Sequence, residues 1–213
     1  IYENVFHQGK WAGIFQFTEK GAQDFAKRAQ PTSIIDIAAI TSIYRPGPLS
    51  AGVDKQYVSA INDTLSIHYI HPLVEEVTKE TYGFLIFQEQ IALLAYHLGD
   101  GISMDEANLL RKVLTKKGTG KGHETKEAIK EKFLRGCLNK DISKREASEL
   151  WATFEYFSGY GFNKSHAVSY SIISYQCAWL YNFFPTEWMC SFLDREPDTR
   201  KEKAINIAKS HGF

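Results

Sequence analysis

No Cys-x-x-Cys pair occurs in this chain of 213 residues, and its three cysteines, Cys137, Cys177 and Cys190, are far apart and odd in number. That argues against a disulfide scaffold and a thiolate zinc site, and it fits a reducing compartment. The N-terminal stretch IYENVFHQGKW lacks the basic and apolar regions of a signal peptide. A membrane span needs roughly 20 predominantly apolar residues. The most apolar helical stretch, residues 166–182, is interrupted by Ser169, Ser171, Ser174 and Gln176, so no span is expected.

Carboxylate motifs are equally scarce. There is no Asp-x-Asp or Glu-x-Glu, and two-metal phosphoryl chemistry needs such groups to hold its ions. Neither G-x-S-x-G, H-E-x-x-H nor a G-x-G-x-x-G after a strand is present. The formal net charge is zero, so binding to phosphates or nucleic acid has to come from local patches. No repeat with a period of 20–50 residues is visible, which disfavours a solenoid.

What is present reads as helix. Apolar content of 44% and charged content of 23% are ordinary for a folded domain with a real core. GAQDFAKRA and SIIDIAAITSIY are the first two helices, and RPGP must end the second. GVDKQYVSAINDTLSIHYIHP is expected as an irregular, partly helical connector. GFLIFQEQIALLAYHL starts as an apolar run, the only strand-like one, and continues as a helix to about Gly99. Ser103 with Glu106, and Ser143 with Glu146, fit the S-x-x-E capping box. After the second box, Ala147, Leu150, Trp151, Phe154 and Phe157 recur at helical spacing and predict one buried face. KKGTGKGHETK lacks the Gly-Lys-Ser/Thr of a phosphate loop and is expected as a mobile, solvated turn. The fold class is therefore mainly α, an irregular multi-helix domain with polar loops and little or no sheet.

Two cationic clusters stand out. Ala107, Leu110 and Leu114 mark the buried face of NLLRKVLTKK, which leaves Arg111, Lys112, Lys116 and Lys117 crowded at one helix end. Cations complement the negative end of a helix dipole, but that accounts for one or two such residues more readily than four. Lys112 and Lys116 repel at i,i+4, and Lys112 has no acid at i±3 or i±4. The second cluster is SGYGFNKSHAVSY. Gly159 and Gly161 permit sharp backbone angles, and either Asn163 or Ser165 fits the N-cap of the core-forming helix that follows. Lys164 and His166 then sit beside free helix N–H groups, a combination suited to phosphate. Tyr160 and Phe162 are placed to stack on a base or sugar, although aromatics flanked by glycine more often pack into a core.

GIFQFTEKGAQDF, IYRPGPL, YGFLIFQEQI, ANLLRKVLTKK and GYGFNKSHAVSYSIISYQCAWLYNFFPTEW occur in that order. Together they resemble the fingers region of the bacterial C-family replicative DNA polymerase, the DNA polymerase III alpha subunit. The resemblance implies a mostly helical fingers domain that binds the incoming deoxynucleoside triphosphate and nearby template. By resemblance, Arg111 and Lys112 take the place of paired arginines in the family's LLRRAMGKK block, with Lys116 beyond them. Lys164 and His166, with Asn163 and Ser165, match its NKSH block, and Tyr160 and Phe162 lie beside it. Arg45, in the RPGP turn, matches a position near the active centre. Mg²⁺ is implied for the full polymerase, held by palm aspartates outside this chain, so no catalytic or metal-binding residue is expected here. The implied partners are deoxynucleoside triphosphate, primer-template DNA and the palm and other domains of the same polymerase, in the cytoplasm and without a membrane.

Two positions depart from the family pattern. Lys112 replaces a planar fork by a point charge, and Thr115 stands where the family has glycine. The expected layout is a connector over 1–12, the fingers over 13–193 and a helical tail over 194–213. The chain begins without Met and stops after AKSHGF, as a piece of something longer would. As part of a nucleotidyltransferase, it is expected to be inactive alone. The rival reading is a stand-alone helical scaffold that binds nucleotide or nucleic acid without polymerase activity.

Overall fold

The computed structural model describes residues 1–115, 121–158 and 161–213. Helices dominate the described residues, and no strand is among them. The sole β feature there is an isolated parallel bridge between Phe87 and Phe162, so GFLIF, the expected strand, contributes no more than that. By backbone contacts the chain divides into two units, residues 66–164 and residues 1–65 together with 165–213.

The 66–164 unit contains α5 (Pro72–Thr78), α6 (Gln88–Leu98), α7 (Met104–Thr115), α8 (Lys121–Leu138) and α9 (Lys144–Ser158). Both expected capping boxes form. Ser103 Oγ accepts from Glu106 N–H while Glu106 accepts from Ser103 N–H at 2.9 Å, and Ser143 and Glu146 repeat the arrangement at 3.3 and 3.0 Å. The predicted face of α9 is buried: Ala147, Trp151 and Phe154 lie inside, with Leu150 and Phe157 packed at the margin. Phe133 of α8 meets Trp151 and Phe154 with ring centroids 5.4 and 5.1 Å away. A Cβ on Gly136 would stand 2.2 Å from the Leu98 carbonyl oxygen, so only glycine lets α8 cross the end of α6 this closely. Cys137 is buried in the same core, and burial pushes its thiol up to about 11. The KKGTGKGHETK turn differs from expectation where it is described. Residues 121–126 already belong to α8, since the Glu and Lys of HETKEA are good helix formers.

The other unit contains α1 (Lys20–Ala29), α2 (Ile34–Ile43), α3 (Pro46–Ser50), α4 (Val53–Ile61), nearly all of α10 (Lys164–Phe183), α11 (Pro185–Arg195) and α12 (Asp198–Ser210). The connector around residues 53–72 is thus partly helical. RPGP ends α2 as expected, yet Pro46 then occupies the first turn of α3, where a missing N–H costs nothing. A capping box not foreseen, Ser33 with Asp36, starts α2. Val5 and Phe6 are fully buried, and Phe6, Trp11 and Phe17 form a ring cluster with centroids 5.2–6.0 Å apart.

Helix α10 departs most from expectation. Its buried stripe consists of Ala167, Ser171, Ser174, Ala178 and Tyr181. Expected as core-forming, the helix leaves large apolar side chains outside, with Trp179 42% and Phe183 57% exposed. Small residues let the helix approach closely enough for Ser174 Oγ to donate to the Phe15 carbonyl at 2.9 Å. Of the serines that argued against a membrane span, Ser171 and Ser174 lie on the inward face, whereas Ser169 is exposed. Among the described residues no helix is long and apolar enough to cross a membrane.

Candidate functional site

The site begins with a buried glutamine. Gln90 Oε1 accepts from the backbone N–H groups of Ile86 and Phe87, both at 2.9 Å, and its Nε2 donates to Thr81 Oγ1 and the Val77 carbonyl. This satisfied network fixes the chain entering α6, as buried polar groups require. Residues 161–163 dock alongside: Phe162 N–H donates to the Ile86 carbonyl at 3.0 Å, and Gln88 N–H to the Phe162 carbonyl at 2.9 Å. Gly161 serves here by its size, not by a left-handed angle, since a Cβ would stand 3.0 Å from Gln88 Cγ. The two segments bring the first turn of α6 beside the start of α10.

Glu89 projects into that junction. Its Oε1 accepts from Arg111 Nη1 at 3.2 Å and from Asn163 Nδ2 at 2.8 Å, and its Oε2 accepts from the Lys164 backbone N–H at 2.9 Å. Lys164 Nζ is 2.5 Å from Glu80 Oε1 and 5.9 Å from the centroid of the Phe87 ring. All four charged side chains are half-buried, between 23% and 35% exposed. Arg111 Nε is buried and makes no hydrogen bond. Three donors of different kinds, a guanidinium, a carboxamide and a helix-terminal N–H, thus converge on one anion.

Of the residues singled out in the sequence, Arg111, Asn163 and Lys164 come together here, and Phe162 supplies the backbone bridge. Asn163 takes the position before α10, while Ser165 lies inside its first turn and its carbonyl accepts from Ser169 Oγ. Lys112 is exposed on α7. His166 is exposed on α10, which removes a core role, and its ring lies 4.2 Å from that of Tyr170. Arg45 precedes α3 and donates from Nε to the Ser42 carbonyl at 2.9 Å; burial lowers its pKa from the ordinary arginine value. Arg45, Ser165 and His166 belong to the 1–65/165–213 unit, and the others to the 66–164 unit. Lys116, Lys117, Gly159 and Tyr160 lie outside the described residues.

The cationic cluster is not uncompensated at Arg111. Its counter-charge, Glu89, comes from another helix, and sequence reading missed both Glu89 and Glu80. The only signal was the Gln-Glu-Gln triplet at the start of α6, and no local rule pairs it with a helix start 75 positions on. Among the described residues no group of three or more His, Cys, Asp or Glu side chains is placed to hold a metal ion. The geometry suits an anion held by nitrogen donors.

Relatives carry a similar stretch of sequence. The DNA polymerase III subunit alpha of Borreliella burgdorferi is 39% identical over 207 residues, that of Rickettsia prowazekii 38% over 210, and that of Treponema pallidum 36% over 207. Each alignment covers 97% of this chain and 17% of the relative, so the chain spans about one sixth of the proteins it is similar to. Residues 1–141 match the family model described as the bacterial DNA polymerase III alpha subunit finger domain. With helices throughout and that match running over most of its length, the chain belongs to the bacterial DNA polymerase III alpha subunit finger-domain family.

Proposed function

We propose that this chain is the nucleotide-facing fingers module of a DNA-directed DNA polymerase. The observation that carries this reading is the convergence of Arg111, Asn163 and the Lys164 N–H on a single anionic group. A phosphate oxygen asks for the same donors, and a helix N-terminus adds its partial positive charge. Arg111 and Lys164 hold phosphates of the incoming deoxynucleoside triphosphate. By resemblance alone, Lys112, Lys116, Ser165, His166 and Arg45 are assigned to contacts with the same nucleotide, and Tyr160 and Phe162 to its base or sugar. Template and primer DNA lie nearby. The palm and other domains lie outside this chain, and Mg²⁺ held there supplies charge neutralisation for phosphoryl transfer. Membership in the finger-domain family favours this reading over a stand-alone scaffold.

The test is Arg111→Ala in the intact polymerase that carries this segment. Losing one hydrogen bond to a charged group costs about 1.5–3 kcal/mol, so kcat/KM for nucleotide is expected to fall about 10- to 150-fold while primer-template affinity holds. Unchanged nucleotide kinetics with a clear loss of DNA affinity would move Arg111 to the DNA side and overturn the reading.

A further inference from the structure

We propose that Glu89 is a built-in, displaceable counter-anion. It occupies the phosphate position of the triphosphate site and sets which anions can enter. The inference rests on the triphosphate reading above and adds a residue with a role of its own. The carboxylate already receives what an entering phosphate oxygen would need: the Arg111 guanidinium at 3.2 Å, the Asn163 carboxamide at 2.8 Å and the Lys164 N–H at 2.9 Å. Glu80 does the same for the Lys164 ammonium. Two acids therefore cancel these two cations, which leaves the phosphate position itself with no net charge with which to attract a weak anion.

The occupant is positioned to leave. Gln88, its neighbour, is pinned through the backbone to Phe162, so the first turn of α6 stays in place while the Glu89 side chain swings on its own torsions. The carboxylate is 33% exposed, open to solvent and to an approaching ligand. Arg111 is only partly satisfied by it, since Nε remains buried without a hydrogen bond. A phosphate chain with several charged oxygens can engage more of the guanidinium and the ammonium together than one carboxylate can. A ligand of low charge gains too little to replace Glu89. The device therefore favours a triphosphate over inorganic phosphate, and it lowers apparent affinity by the fraction of time the site is closed.

The experiment compares wild type, Glu89→Gln and Arg111→Ala in the full-length polymerase. It reads nucleotide KM and kcat, and inhibition by inorganic phosphate and by tripolyphosphate. Glu89→Gln keeps the size and an acceptor for the helix N–H but removes the charge. Expected are a nucleotide KM lower by about 3- to 10-fold at unchanged kcat, tighter inhibition by tripolyphosphate, and inhibition by inorganic phosphate at concentrations that leave wild type unaffected. A raised KM with lowered kcat would show that Glu89 holds the site open, not closed, and would overturn the proposal; so would unchanged inhibition by both anions. If Arg111→Ala raises KM while Glu89→Gln does not lower it, only the counter-anion fails. If Arg111→Ala leaves nucleotide kinetics untouched, the triphosphate reading itself fails. Glu89→Asp covers the case in which the Gln variant does not fold: its charge stays but its reach is one methylene shorter, and the KM shift is expected in the same direction and smaller.

Discussion

Helices α9 and α10 both start under a glutamate, and the two starts are built differently. At α9 the acid is Glu146, three residues from Ser143, and the two side chains satisfy each other's backbone donors. At α10 the acid is Glu89, contributed from 75 residues away, and it answers a guanidinium and a carboxamide along with the helix N–H. The first closure is complete within four residues and has no use for anything else. The second gathers groups from three helices or their approaches, and those groups are the ones a ligand would compete for. A helix end closed locally serves stability, whereas one closed from afar is available for exchange.

The largest expected effect comes from removing the distant closure outright. Glu89→Ala leaves a half-buried guanidinium, an amide and a helix N–H without their acceptor. Unfolding in denaturant is expected to show a loss of about 1–3 kcal/mol, the penalty of unsatisfied polar groups. Pairing it with Arg111→Met should restore part of that loss, because the stranded charge goes with it. Strict additivity would break the contrast, making Glu89 an ordinary cap.

The local closure should respond more mildly and without a kinetic trace. Ser143→Ala is expected to cost about 1 kcal/mol in thermal unfolding, typical of a lost N-cap, with nucleotide KM unchanged. A change in KM would mean that the α9 start also communicates with the site.

The smallest effect is one of pH. The Lys132 ammonium, then the Ser103 N–H, hold the Glu106 carboxyl below its ordinary value in the folded chain. A depressed folded pKa gives stability that is fully present above the unfolded value, about 4.3. That stability is lost as pH falls through the folded value. Glu106 is about one-third exposed, so the loss below pH 4 should stay under about 1 kcal/mol and vanish in Glu106→Gln. Equal acid sensitivity in wild type and variant would reassign it to another carboxylate.

This contrast also separates what could be read in advance from what could not. Ser143–Glu146 and the Trp151 face are local patterns, where spacing along a helix fixes neighbours. For α10 only its core-forming character was legible, not which face would be buried. Close approach of backbones selected Ala167, Ser171 and Ser174 for the inward face and left the larger Trp179 and Phe183 exposed, a choice that composition alone does not reveal. Arg111 and Lys164 were identifiable as cations in search of an anion. Glu89 was not identifiable as that anion, because its pairing depends on how Phe87 and Phe162 meet.

The close fit of α10 against residue 15 has a consequence for the order in which the chain folds. Residues 66–164 form a continuous stretch, and their contacts close over shorter loops than those of the other unit, the Lys164–Glu80 pair spanning 84 residues. The other unit joins Phe15 to Ser174 and Ala12 to Trp188 across separations of 159 and 176 residues. Loop-closure entropy and vectorial synthesis both favour the continuous stretch. It can be packed on the ribosome while the first 65 residues still wait for the helices that complete their core. Pulse-labelled hydrogen exchange during refolding should therefore protect α8 and α9 before α2, and the reverse order would show that the N-terminal segment folds without its distant half.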